Sequence, residues 1–254
     1  MTRTDITEVE FSEAMRAELQ QDISTINAML EYKRPHGSKS ERRFINRFIR
    51  PLGAEADDFG NYILRVGSEE PTVLFSAHTD SVHRSPGRQR VVLGGGQFKL
   101  SAAEKFSSCL GADNAAGVWL LTELIKAGVP GLYVFHRSEE SGCKGSNHIA
   151  EKTPLLLSGI KAAIAFDRRG TKSIITHQMG RRTCSDTFAK SLSAALRLGH
   201  SLDDGGSYTD TNSYRGIISE CTNVSVGYSG EHSSLETLNV GYLVLLKMAL
   251  RETD

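Results

Sequence analysis

One stretch limits what this chain can fold into more than any other: Leu132-Tyr133-Val134-Phe135-His136-Arg137-Ser138-Glu139-Glu140-Ser141-Gly142-Cys143-Lys144-Gly145-Ser146. Four apolar residues in a row, Leu132 to Phe135, read as a strand buried on both faces, the pattern of a parallel sheet. That strand runs into two adjacent carboxylates followed by Ser-Gly. Neighbouring carboxylates repel, so something must separate or neutralise them. A metal ion does both: one carboxylate coordinates it while the other stays free as a general base for metal-bound water. Alone, Glu139-Glu140 is more simply a solvated pair at a loop start. Its meaning depends on partners elsewhere in the chain.

A chain of 254 residues is long enough to bury a substantial core, and it is read as a single domain over 1–254. Thirty basic and thirty acidic residues cancel, so no broad attraction to nucleic acid or to a membrane surface is implied. The N-terminal Met1-Thr2-Arg3-Thr4-Asp5 has no apolar core of a signal peptide, and no apolar run approaches a membrane span. Cys109, Cys143, Cys184 and Cys221 are widely spaced, as reduced thiols of a cytoplasmic protein would be.

The remaining pattern alternates helix and strand. Met15, Leu19, Ile23, Ile26 and Leu30 recur at helical spacing, predicting an amphipathic helix over 11–33. His36 falls in the Arg34–Ser38 turn that ends it, and a second helix over about 39–50 is stopped by Pro51. Strands are expected at Tyr62–Val66 and Thr72–Ala77, the latter arriving at His78-Thr79-Asp80. Residues 84–107 read as an excursion with a hairpin turn at Gly94–Gly96. A helix opens at Gly111-Ala112-Asp113-Asn114 and closes at Gly128. After the central strand come a short helix broken near Pro154, a strand Ala162–Phe166 ending at Asp167, and a strand Ser173–Thr176. A helix Asp186–Leu198, with Phe188, Leu192, Ala195 and Leu196 inward, is followed by a loop and a short strand Val224–Val226. The last helix, about 234–251, is expected to bury Leu238, Tyr242, Leu245, Leu246 and Leu250. Such alternation predicts an α/β fold: a three-layer α/β/α sandwich around a mixed, mostly parallel sheet.

On that frame His78, Glu139-Glu140 and Asp167 each stand at or just beyond the carboxyl end of a strand, the edge where α/β sheets form ligand crevices. Asp113 stands at a helix start and His232 in the loop before the last helix. Each alone has an ordinary explanation as a cap or turn residue. Together, two histidines and four carboxylates match the needs of a pair of divalent cations.

With these residues in this order, His78-Thr79-Asp80, Asp113-Asn114, Glu139-Glu140, Asp167 and His232, the chain resembles the co-catalytic di-zinc exopeptidases. That group includes bacterial leucyl aminopeptidases and their carboxypeptidase and deacylase relatives. The resemblance extends over most of the chain, since Asp58-Phe59-Gly60-Asn61 and Gly145-Ser146 also sit where members have similar residues. It implies the zinc-exopeptidase (phosphorylase/hydrolase-like) fold and two divalent ions, zinc by default, with cobalt or manganese suiting the same donors. Asp113 would bridge the ions, with His78 and Asp167 completing one set of metal ligands and Glu140 and His232 the other. Glu139 would take a proton from the bridging water and pass it to the leaving amine. Asp80, two residues after His78 on an extended segment, would orient the imidazole. Asp113-Asn114 falls where members carry a non-proline cis peptide.

Many members insert a lid or dimerisation domain between the segments holding Asp167 and His232. Here that interval (232 − 167 = 65 residues) is filled by elements the core needs, so no such domain is expected. This favours an aminopeptidase acting on small peptides or amino-acid amides. An N-acyl amidohydrolase or carboxypeptidase is the alternative, with Arg168 or Arg169 holding a substrate carboxylate. A catalytically silent binding domain and a transferase on the same scaffold are more remote. Asp210, in Thr209-Asp210-Thr211-Asn212, resembles a site-lining position.

Overall fold

A computed structural model describes residues 13–253, so the start of the helix expected from residue 11 lies outside the described residues. Eight strands form the main sheet: β1 (Glu55–Ala56), β2 (Tyr62–Val66), β3 (Val73–His78), β4 (Gly131–His136), β5 (Ala162–Arg168), β6 (Ser173–Ile175), β7 (Ser201–Asp203) and β8 (Glu220–Ser225). Their spatial order is β7-β6-β8-β5-β3-β4-β2-β1. The four central strands β8, β5, β3 and β4 run parallel, while β2 joins β4, and β6 joins β8, in antiparallel fashion. The sheet is therefore mixed with a parallel centre, as the alternation of elements predicts.

Side-chain alternation along the central strands sorts two cores. Phe75, Ala77, Tyr133, Phe135, Ile164 and Phe166 face one side, packed with the helices α1 (Glu13–Leu30), α2 (Lys39–Phe48), α3 (Ala112–Lys126), α5 (Asp186–Leu196) and α6 (Val240–Arg251). Leu74, Leu132, Val134 and Ala163 face the other side, with Ile149 of α4 (Lys144–Lys152), Leu157 and Tyr214. This period of two is what a strand covered on both faces requires. Every residue of β4 is buried, as its unbroken apolar run demands. Helix α3 lies directly on β3 and β5 and is itself covered by α1 and α6, which is why it is apolar almost all round. Lys247 of α6, itself buried, ties α6 to α1 through Asp22 (2.5 Å) and Glu18 (2.8 Å).

Five sequence expectations need correction. The last helix begins at Val240, because Asn239 accepts the Tyr242 N–H and caps it there, while Thr237–Asn239 is a strand paired with Gln97–Leu100. Leu245 of that helix is half exposed rather than buried. Met15 and Leu19 are likewise exposed at about the same level, because α1 buries only its C-terminal half, at Ile26, Met29 and Leu30. Helix α5 ends at Leu196 and turns Ala189 inward with Leu192, leaving Ala195 exposed. The strand expected at Val224–Val226 is longer toward its start: Cys221, Thr222 and Asn223 pair with Ala163, Ile164 and Ala165, so their polar side chains hide a central strand. Between Asp167 and His232 the described residues contribute β6, β7 and β8 to the main sheet and α5 to its helical cover, and form no separate lid.

Candidate metal centre

The carboxyl edge of the parallel strands carries the polar cluster. His78 is the last residue of β3, level with His136 at the end of β4. Glu139-Glu140 follow β4 in a turn entered through Ser138 at positive φ, and Asp167 lies near the end of β5. Asp113 stands in a first turn of α3 that departs from helical geometry, at a cis peptide with Asn114. His232 reaches in from a loop, also at positive φ, with its ring half exposed.

Asp113 occupies the centre. Its Oδ1 lies 3.1 Å from His78 Nε2, and its Oδ2 lies 3.1 Å from His232 Nε2. His78 Nε2 is also 3.3 Å from Asp167 Oδ1, and His232 Nε2 is 3.3 Å from Glu140 Oε2. Two sets of donors thus converge, His78 with Asp113 and Asp167, and Asp113 with Glu140 and His232, each with its atoms within 4.8 Å of one another. Glu139 Oε2 stands 4.0 Å from His78 Nε2, beside both sets. Its other oxygen accepts the Cys143 thiol at 3.4 Å.

Electrostatics show what the cluster lacks. Burial pushes Glu139 well above the usual carboxylate range, with Asp167, Asp210 and Glu140 adding repulsion. Burial raises Glu140 and Asp167 too. Asp113 is also desolvated, yet its bonds to His232 and His78 hold it well below the usual range. Bonds to Asp113 and Glu140 push His232 up to about 11, and for His78 the nearby carboxylates overcome burial and hold it well above its ordinary value. Among the described residues, the only positive groups between these carboxylates are two imidazoles that must borrow protons. Glu140 Oε1 is buried with no partner among the described residues. A hard oxygen-rich set with two imidazoles, short of positive charge, fits divalent cations.

Supporting contacts fix the donors. Thr209 Oγ1 donates to Asp167 Oδ2 (2.7 Å), and Tyr228 OH donates to the Asp167 carbonyl (2.9 Å). Asp80 is fully buried; its oxygens accept the Glu139 and Glu140 N–H groups at 3.2 and 3.3 Å. Its Oδ1 lies 3.6 Å from His78 Nδ1, longer than a hydrogen bond, so the two interact by charge. Asn61 and Gly145, both in segments singled out from sequence, touch each other: Asn61 Nδ2 donates to the Gly145 carbonyl at 3.1 Å.

Other expectations fall outside the cluster. Arg168 pairs with Asp203 (3.0 Å) and Arg169 with Glu231 (3.3 Å). Asp210 is buried behind the cluster, its Oδ2 3.4 Å from His136 Nδ1, and burial with Asp167 and Asp80 nearby pushes it up to about 7. His36 is exposed in the turn before α2. Sequence reasoning missed Arg34, Glu41 and Glu236, all fully buried. Glu41 accepts Thr79 Oγ1 (2.8 Å) and Arg137 Nη2 (2.8 Å), bracing the segment between His78 and Asp80. A charged residue on the apolar face of a predicted helix was the available signal for Glu41; Arg34 and Glu236 sat in segments read as a turn and a helix start.

An α/β sandwich with this cluster at its carboxyl edge defines a metal-dependent hydrolase. The chain belongs to peptidase family M28, whose profile matches residues 61–212, and it is accordingly a hydrolase of peptide bonds. Among solved structures it is similar to the aminopeptidase PepT of Bacillus cereus ATCC 10987, with a TM-score of 0.73 at 15% identity over 92% of this chain and 98% of that one. A tripeptidase of Staphylococcus aureus subsp. aureus Mu50 gives 0.72 at 14% identity, covering 92% and 97%. An aminopeptidase of the archaeon Desulfurococcus kamchatkensis gives 0.72 at 13%, covering 92% and 94%. At these identities the likeness is one of fold. A search of curated protein sequences finds no significant match. No helix among the described residues is long and apolar enough to cross a membrane.

Proposed function

We propose that this chain is an aminopeptidase that holds two divalent ions, zinc by the chemistry of its donors. His78, Asp113 and Asp167 would hold one ion, and Asp113, Glu140 and His232 the other. The observation that carries this reading is Asp113, whose two oxygens each lie 3.1 Å from a different imidazole nitrogen. Bound there, the ions would supply Lewis acidity toward the scissile carbonyl and lower the pKa of water. Glu139, whose Oε2 stands 4.0 Å from His78 Nε2, would be the general base and then the acid toward the leaving amine. Asp80 fixes the Glu139-Glu140 backbone and supports His78 by its charge.

Solved relatives described as aminopeptidases and a tripeptidase support the release of N-terminal residues from short peptides. The pairing of Arg168 with Asp203 and of Arg169 with Glu231 weighs against the carboxypeptidase alternative, because both guanidiniums already hold carboxylates. Residues 1–254 would act as one catalytic domain. A cytoplasmic setting belongs to this proposal, and the four unpaired thiols suit it.

The test pairs metal content with turnover of aminoacyl and N-acyl amides. Two ions per chain, and hydrolysis only of substrates with a free amine, are expected, with chelator abolishing activity. Glu139→Gln should keep both ions and lose turnover by at least the 10²–10⁴-fold typical of a missing general base. Loss of metal in that variant would exchange the roles of Glu139 and Glu140. Asp113→Asn should empty both positions; two tightly held ions in it would end the bridging assignment.

A further inference from the structure

Glu236 follows His232 by four residues and is 1% exposed. Its carboxylate faces no cation at hydrogen-bond distance among the described residues. It accepts two backbone N–H groups from the turn that presents Asp113: Gly111 N to Oε2 at 2.8 Å and Asp113 N to Oε1 at 2.9 Å. The same Gly111 is held from the other side, its carbonyl accepting Nη2 of Arg34 at 2.9 Å. Arg34 is also fully buried, with its guanidinium over the Phe44 ring, and donates to two further carbonyls: Nε to Thr79 (3.0 Å) and Nη1 to Tyr32 (3.3 Å). Thr79 is the residue between His78 and Asp80. Gly111 cannot be another residue, since it sits at φ +74° and a Cβ there would lie 2.7 Å from the His83 ring.

The consequence is one continuous path of hydrogen bonds, charge-assisted wherever Glu236 or Arg34 supplies the side chain. It runs from the His232 loop through Glu236 to Gly111 and Asp113, and from Gly111 through Arg34 to Thr79. Glu236 N donates to the Ser233 carbonyl at 3.2 Å, so a backbone bond carries the path to the residue next to His232. A buried guanidinium and a buried carboxylate are expensive to desolvate, and neither is placed to pair with the other directly. Each instead holds the backbone of a segment that carries a donor of the cluster.

We infer that Glu236 and Arg34 are positioning residues for the cation centre, setting the spacing between the segments that bear His78, Asp113 and His232. The inference rests on the two-ion reading above. Because both residues act on the turn that presents the bridging Asp113, loosening either one weakens both ion positions together. Glu236→Gln has the same shape but replaces one acceptor by an NH₂ group, which must face an N–H donor of Gly111 or Asp113.

The experiment measures zinc dissociation constants of the purified 254-residue chain by chelator competition, with the thermal midpoint of the chelated protein recorded beside them. Glu236→Gln should bind both ions about 10–100-fold more weakly, the usual effect of a group that orients a ligand. The exposed neighbour Leu235, changed to Ala, should bind as the parent does. A role confined to packing would lower the chelated midpoint and leave the dissociation constants unchanged, and that result overturns the inference. If Glu236→Gln does not fold, Glu236→Asp carries the same comparison, because it keeps the carboxylate on a shorter arm. A parent that binds no zinc would sink the two-ion reading itself. A parent with two ions beside an unchanged Glu236 variant would sink the clamp alone.

Discussion

His83 takes no part in the cation cluster, yet its chemistry makes folding depend on pH. Its Nε2 lies 3.1 Å from Gln89 Oε1 and so carries the proton, leaving Nδ1 to accept the Ser81 hydroxyl at 2.7 Å. A second proton would point at the Arg34 N–H and add charge beside a buried guanidinium. Burial, with Arg34 adding to it, lowers its pKa to about 3. An unfolded histidine titrates near 6.5, so between pH 6.5 and 3 the unfolded chain binds the proton that the folded chain refuses. Stability is therefore full above pH 6.5 and falls as the pH drops, by about 2 kcal/mol between pH 7 and pH 5 from this group. Urea unfolding of the parent and of His83→Gln at those two pH values measures it. The parent should lose about 2 kcal/mol more than the variant, since His136, also held at about 3, is common to both. Equal losses would remove His83 from the account. Such residues leave little trace in a sequence. His78, Glu139, Glu140 and Asp167 were legible as a candidate site because each stands at or just beyond the end of an apolar run. Arg34, His83 and Glu236 lie in irregular segments, where a lone charge looks the same whether solvated or buried.

At the scale of elements, the site depends on how closely α3 lies on β5. Gly117 permits it: a Cβ there would sit 2.1 Å from the Phe166 carbonyl and 2.4 Å from Asn114 Oδ1. The Gly117 N–H donates to that same Asn114 Oδ1 at 3.0 Å, fixing the turn beside Asp113. Phe166 precedes Asp167, so Gly117→Ala would push apart the segments bearing Asp113 and Asp167, two proposed donors to one ion. We expect destabilisation of about 1–3 kcal/mol from overpacking and, with it, loss of metal that the control Ala195→Ser, at an exposed position of α5, does not show. Unfolding in urea together with metal content checks both effects; full stability would mean that α3 can move outward freely. Strand β4 and helix α3 were readable because an unbroken apolar run has one environment that suits it. The strand at Thr237–Asn239 was not, because Leu238 satisfies a helical period with Tyr242 and equally a strand partner in Phe98. Only the pairing with Gln97–Leu100, distant in sequence, decides between them.

For the whole molecule, the cluster gathers segments spread from His78 to His232, so any ion bound there ties together parts of the chain that are far apart when unfolded. The unfolded chain offers no such arrangement of donors, and binding energy at the site becomes folding energy. At a free zinc concentration a thousandfold above the dissociation constant, one site adds about 4 kcal/mol. For a chain of this size that corresponds to a rise of roughly 8–16 °C in Tm, at about 2–4 °C per kcal/mol. The order of the sheet explains why the effect should be global rather than local. His78 and Asp167 end β3 and β5, neighbours at the centre of the sheet, while Asp113 belongs to the helix lying on them and His232 to a loop that follows β8. Calorimetry with zinc in excess and then with chelator should show one transition that moves as a unit. In Asp113→Asn the midpoint should no longer respond to zinc, because both proposed positions would lose the ligand they share. A parent whose transition ignores both zinc and chelator would mean that the folded cluster holds ions no better than the unfolded chain, and the two-ion centre could not stand.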